Sequence, residues 1–237
     1  MYMIMYNTLM SVAAGVGLLM VVALGKKLWK RTAIAAEGWS LTFGIVGVIL
    51  TGLGAAVSIT WPYKFPGAID ANIMFGEPAI AFGLLLLAAS FYLWQHRELF
   101  GRLNGSKAES DQAFEQILRV VKPVSVFVFA TGLIMTACAI AWVRYRLGAA
   151  PSVEPISGLF SDQPVLESTF LGVLYGLVAV GALLFPFGIH NRNKNLLTVI
   201  AVCWVIAGLV FLAFGALNYY THIGMLVNTT SGGHYRF

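Results

Sequence analysis

Six apolar stretches of about 20 residues each alternate with short polar segments along the chain, and each is long enough for a helix to cross the hydrocarbon of a bilayer. The predicted spans are 3–24, 39–60, 74–94, 124–143, 168–189 and 196–217. A backbone in lipid must satisfy its own hydrogen bonds, and the barrel type of alternation is absent. The pattern predicts an all-α integral membrane bundle of six transmembrane helices, with residues 1–237 as one domain.

Composition strengthens this interpretation. Hydrophobic residues make up 59% of the chain and charged residues 11%, whereas a soluble domain carries roughly a quarter charged residues. A soluble globular domain is therefore excluded, and the lipid bilayer is the expected surrounding.

Basic residues predict the orientation, because short cytoplasmic loops retain Lys and Arg. One side of the predicted bundle carries Lys26, Lys27, Lys30, Arg31, Arg97, Arg102, Lys107, Arg119, Lys122, Arg192 and Lys194, and the other carries Lys64, Arg144, Arg146 and Arg236. We therefore expect both termini to be extracytoplasmic, with 218–237 as an extracytoplasmic tail. The net charge of +5 follows from this bias and requires no nucleic acid partner.

The spans also resemble three copies of one helical hairpin. The even-numbered spans share Thr51-Gly52-Leu53, Thr131-Gly132-Leu133 and Ala207-Gly208-Leu209. If the hairpins are repeats, the polar residues Asn7, Glu77 and Glu167 at the starts of the odd-numbered spans lie at one level. The alternative is coincidence, since small residues are common in membrane helices.

The segment between the third and fourth spans predicts a short amphipathic helix. Ser106 and Glu109 have the spacing of a capping box, and Phe114, Ile117 and Leu118 fall on one helical face. The sequence predicts a helix on the inner membrane surface, or one that docks on a partner subunit.

Glu77, Glu167 and Asn7 form the candidate polar site. An ionisable residue at membrane depth indicates a proton, ion or substrate role. The structural alternative is that each carboxylate stabilises the start of a helix, since Pro78 suits a first turn and Ser168 follows Glu167.

Histidine positions bear on haem and metal binding. His96 and His190 lie at predicted span ends on one side, while His222 and His234 follow the last span. No pair matches in depth, which disfavours a bis-His haem. A surface metal site of His222 and His234 with Asp70 or Glu77 stays open. No phosphate-binding loop, metalloprotease motif or nucleophile elbow occurs, so catalysis has no support and no cofactor is required.

Three short segments carry a family resemblance: Tyr6-Asn7-Thr8-Leu9-Met10, Gly38-Trp39 and Phe75-Gly76-Glu77-Pro78. With these segments the chain resembles an uncharacterised family of bacterial and archaeal multi-span membrane proteins, known as a domain of unknown function. The resemblance implies a prokaryotic cell (cytoplasmic) membrane and adds weight to Glu77. It implies no substrate or cofactor.

Three functional hypotheses follow. The first is a non-catalytic accessory subunit of a larger membrane complex, with lipid or pigment-like molecules in its grooves. The second is a small proton- or ion-coupled transporter that uses Glu77 and Glu167 with Asn7. The third is a metal- or haem-binding redox protein that uses the histidines.

Overall fold

The computed structural model describes residues 7–60, 72–148, 150–232 and 234–235. Within these ranges the chain forms seven α-helices and no strand: α1 Asn7–Trp29, α2 Ala36–Thr60, α3 Glu77–Gln95, α4 Arg97–Gly101, α5 Lys107–Tyr145, α6 Pro164–His190 and α7 Lys194–Ser231. All but α4 are long and apolar enough to cross a membrane. The predicted all-α bundle of six membrane-spanning helices is confirmed.

Two helices extend well beyond their predicted spans. α5 has 39 residues and α7 has 38, so each is nearly 60 Å long at about 1.5 Å per residue, almost twice the hydrocarbon thickness. Residues 218–231, expected in a tail, continue α7 as helix. The first residues of the predicted first span lie outside the described ranges.

Because the six long helices alternate in direction, the bundle has two chemically different ends. We call one the basic end: it contains the α1–α2, α3–α5 and α6–α7 connections, with Lys26, Arg102 and Lys194. The opposite end, where α1 begins and α7 ends, contains Glu154 and Glu167, and we call it the acidic end. The assignment of the basic end to the cytoplasm, and so of both termini to the outside, stays a prediction.

Small residues bring the helices together in three tight pairs, α2–α3, α5–α6 and α1–α7. A Cβ atom on Gly15 would lie 2.6 Å from the backbone oxygen of Gly208 and 2.6 Å from the backbone nitrogen of Leu212. Helices in lipid associate through such close backbone packing. These pairs cross the boundaries of the predicted hairpins, and the hairpin repeat itself stays a prediction.

The start of α5 belongs to the core of the basic end. Phe114, Ile117 and Leu118 are each at most 4% exposed. They belong to one hydrophobic cluster with residues of α4 and of the α1–α2 connection. The Ser106 and Glu109 capping box is present, as predicted. The predicted separate helix on the membrane surface is wrong, because this segment continues without a break through Pro123 into the membrane span.

Arg31 fastens this segment to the end of α1. Its guanidinium lies 3.3 Å from the centroid of the Phe114 ring, and its Nε lies 3.6 Å from Asp111 Oδ1. The Trp29 ring also meets Phe114 edge-on at 6.0 Å. The apolar face that the sequence predicted to meet lipid or a partner is therefore covered by the protein itself.

Candidate functional site

A cavity of about 1620 Å³ lies between the six long helices. It extends from Lys26 at the basic end to Glu154 at the acidic end, and most of its lining is apolar, including Leu18, Phe82 and Val178. Its volume exceeds the roughly 300–1,000 Å³ of common small-molecule pockets. The shape and lining suit a long apolar chain better than a compact polar solute.

Two of the helices that line the cavity, α3 and α5, are only loosely packed against each other. Both helices line the cavity, through Phe82 and Leu85 on α3 and Val128 on α5, yet within the described ranges they contact each other only sparsely. Near the acidic end the gap is bridged by the rings of Phe75 and Trp142, whose centroids lie 5.6 Å apart.

The acidic end of the cavity contains a chain of hydrogen-bonding side chains. Glu154 is 8% exposed, and its Oε1 accepts a hydrogen bond of 2.6 Å from the Thr221 hydroxyl. The same oxygen lies 3.6 Å from His222 Nε2. On the other side of the imidazole, Nδ1 lies 3.3 Å from Thr8 Oγ1. Residues from α1, α7 and the α5–α6 connection therefore meet at one point.

The α5–α6 connection is held over this end by a strained turn. Ile156 has φ 64° and ψ −66°, and the Ser157 amide donates a 2.7 Å hydrogen bond to the Pro155 carbonyl. A β-branched residue with positive φ is a genuine outlier, and such strain persists only where the surroundings enforce it. Pro155 packs so close to Gly224 of α7 that no side chain fits there. The turn fixes Glu154 above the cavity.

A second carboxylate lies beside the first. Glu167, in the first turn of α6, accepts a hydrogen bond from the Ala150 amide and lines the cavity. It is near enough to Glu154 for the two charges to repel each other. Two carboxylates and one imidazole therefore line the acidic end of the cavity.

Asn218 faces this space from one helical turn nearer the middle of the cavity than His222. It is 5% exposed and lines the cavity, and its side chain makes no hydrogen bond within the described part of the chain. The four-residue spacing puts Asn218 and His222 on one face of α7, about 6 Å apart along its axis. The Asn218 amide group is therefore available for a hydrogen bond to a molecule in the cavity.

The predicted polar site is only partly brought together. Asn7 and Glu167 both line the cavity. Glu77 is exposed at the start of α3, does not line the cavity, and has Cys138 of α5 as an electrostatic neighbour. Sequence reasoning missed Glu154 and gave no role to Asn218. The four-residue spacing of Asn218 and His222 was the available signal.

The four histidines do not assemble into one site. His96 and His190 are both exposed at the basic end. The His96 ring stacks on the Tyr92 ring with their centroids 4.3 Å apart, and His190 Nδ1 is hydrogen-bonded to the Pro186 carbonyl. His234 is exposed beyond α7. Within the described ranges no three His, Cys, Asp or Glu side chains are grouped to hold a metal ion. Asp70, the other suggested ligand, lies outside those ranges.

His222 differs from its expected setting. The sequence puts it in a tail beyond the last span, but its side chain is only 14% exposed in the structure. The reason is that α7 continues past the predicted span and packs under the α5–α6 connection. His222 is thus a buried partner of Glu154.

A bundle of six apolar helices around one large cavity defines a multi-pass membrane protein. Its chain belongs to the family described as "Protein of unknown function (DUF981)", whose profile matches residues 1–225. The resemblance to an uncharacterised family is thereby confirmed. Neither a curated protein nor a solved structure matches the chain.

Proposed function

We propose that this protein is a non-catalytic membrane protein that holds a long-chain amphiphile from the bilayer in its central cavity. The carrying observation is the cavity itself, apolar along its length and polar at its ends. A dry, apolar cavity gains nothing by filling with water, whereas a hydrocarbon chain restores the missing contacts.

The distribution of polar groups favours an amphiphile over a wholly apolar pigment. Glu154, His222 and Asn218 meet at the acidic end, and Lys26 and Lys194 line the basic end. Buried polar groups need hydrogen-bonding partners, which a pigment without a head group does not supply. We expect the ligand to enter from the acyl chains of the bilayer between α3 and α5, which contact each other only sparsely, so that it needs no aqueous route.

Filling the cavity tests this proposal. Ala79 of α3 lines the cavity, so Ala79→Trp is expected to weaken binding of a pyrene-labelled fatty alcohol by about tenfold or more. The measurement is fluorescence titration of the purified protein in a neutral detergent. Ala14→Phe on the facing α1 wall is a second variant with the same expectation.

Ala130→Trp is the matched control, because Ala130 is exposed on α5 and does not line the cavity. It is expected to bind the probe as the unaltered protein does. Thermal unfolding of each variant identifies any loss of fold. Equal affinities for the unaltered protein, Ala79→Trp and Ala130→Trp would contradict the proposal, and a bound coloured molecule without a polar head would favour the pigment alternative.

The predictions from the sequence about location, partners and transport relate to this proposal in different ways. We keep a prokaryotic cell membrane with both termini outside as the expected setting. The role as an accessory subunit beside partner proteins stays a prediction, as do the carrier that uses Glu77 and Glu167 and the redox protein. The carrier gains one argument, since Glu167 lines the cavity with Asn7, but Glu77 lies outside it.

A further inference from the structure

The charges at the two ends of the cavity are opposite. Within the described ranges, the lysines that line the cavity are Lys26, Lys30 and Lys194, all at the basic end. Lys26 lies about 27 Å from Thr8 along the α1 axis. Among the described residues of the acidic end, the titratable groups that line the cavity are Glu154, Glu167 and His222, and His222 is paired with Glu154. Arg144 and Arg146 of the same end are exposed and do not line the cavity.

Two carboxylates in one partly enclosed space are costly unless a cation or hydrogen-bond donors compensate them. Thr221 satisfies one lone pair of Glu154, and the Ala150 amide satisfies one of Glu167. Each carboxylate accepts at about four lone-pair sites. Acceptor capacity therefore remains on both side chains.

Asn218 is a second and independent observation. The residue is 5% exposed, its amide makes no hydrogen bond in the described part of the chain, and it lines the cavity. Its carbonyl oxygen adds an acceptor one helical turn from His222. A ligand head group that donates hydrogen bonds would find acceptor oxygens on all three side chains.

We propose that the acidic end recognises the head group of the bound amphiphile, and that this head group is a protonated primary amine. An ammonium group has three donors and no acceptor, which matches Glu154, Glu167 and the Asn218 carbonyl. An anionic head group is repelled by both carboxylates, which gives discrimination as well as attraction. This inference rests on the proposed function, because the amine is held there by its chain in the cavity.

Displacement of the pyrene-labelled fatty alcohol, whose head group is uncharged, separates the two claims. The competitors are hexadecylamine, hexadecan-1-ol and hexadecanoate at pH 7 in a neutral detergent, which share one chain length. For the unaltered protein we expect hexadecylamine to displace the probe at a concentration about tenfold or more below that of the alcohol, with hexadecanoate weakest.

Glu167→Gln and Asn218→Leu are the diagnostic variants. Glu167→Gln keeps the shape and removes one charge, so the amine preference is expected to fall about tenfold while displacement by the alcohol stays the same. Asn218→Leu removes one acceptor and is expected to lower the preference less. Glu98→Gln is the matched control, because Glu98 is an exposed carboxylate of α4 that does not line the cavity.

The outcomes distinguish this inference from the function on which it rests. Equal displacement by the amine and the alcohol overturns the amine preference and leaves the amphiphile cavity standing. An amine preference that Glu167→Gln and Asn218→Leu leave unchanged overturns the assignment to the acidic end. Failure of all three competitors to displace the probe from the unaltered protein overturns both proposals.

Discussion

Gly15→Leu is expected to lower the free energy of unfolding of the bundle by about 3 kcal/mol, the upper range for overpacking. Gly15 lies where α1 crosses α7, and a Cβ atom there would meet the Gly208 oxygen and the Leu212 nitrogen at 2.6 Å. Both neighbours are backbone atoms, which cannot rotate away as a side chain would. The helices must separate, and the remaining contacts of the α1–α7 pair are lost with them.

Gly52→Leu is the matched control for this prediction. Gly52 is exposed on α2, and a Cβ atom there meets nothing within 4 Å. Denaturation in mixed micelles, followed by circular dichroism, compares the two variants with the unaltered protein. Equal stability of all three proteins would mean that α1 and α7 do not pack as described.

Phe114→Ala is expected to cost about 3–5 kcal/mol at the basic end, as truncation of a buried Phe does in a water-soluble core. Phe114 is 4% exposed, carries Arg31 over its ring at 3.3 Å and meets Trp29 edge-on. Its loss removes the central contact between the start of α5 and the end of α1. The segment 107–122 should then exchange its amide hydrogens much faster, since it no longer has a packed face.

Phe127→Ala provides the contrast on the same helix. Phe127 is 49% exposed within the membrane span. Burial of apolar surface gives no driving force where lipid replaces water, so this change should be nearly neutral. Amide hydrogen exchange measured by mass spectrometry compares the two variants. Unchanged protection of residues 107–122 in Phe114→Ala would contradict the packing of α5 on α1.

Membrane spans could be predicted from the sequence because the bilayer requires every span to be apolar and about 20 residues long. The ends of α5 and α7 could not, since outside the lipid that constraint no longer applies. There the helices are prolonged by contacts with distant residues, such as Phe114 with Arg31 and Gly224 with Pro155. Hydropathy carries no information about such contacts.

Some residues of the candidate site could likewise be predicted from the sequence, and others could not. Glu167 and Asn7, which line the cavity, could be singled out because a polar residue at the start of an apolar run is visible in the local sequence. Glu154 lies in a connection and gains its role from Thr221, 67 positions further along the chain. Glu77 had the strongest local signal, but the tight α2–α3 pair leaves it exposed outside the cavity. The pairing of the helices determines which polar residues line the cavity. This pairing joins helices from different predicted hairpins, so it could not be inferred from the hairpin pattern.

The central claim is that the cavity holds an amphiphile taken from the bilayer. Native mass spectrometry of the unaltered protein, released from mild detergent at increasing collision energy, tests it most directly. We expect a bound amphiphile, of roughly one molecule per chain, to remain after the detergent and the weakly held lipids have been lost. A chain that sheds every adduct together with the detergent, before and after incubation with membrane lipid extract, would contradict the claim.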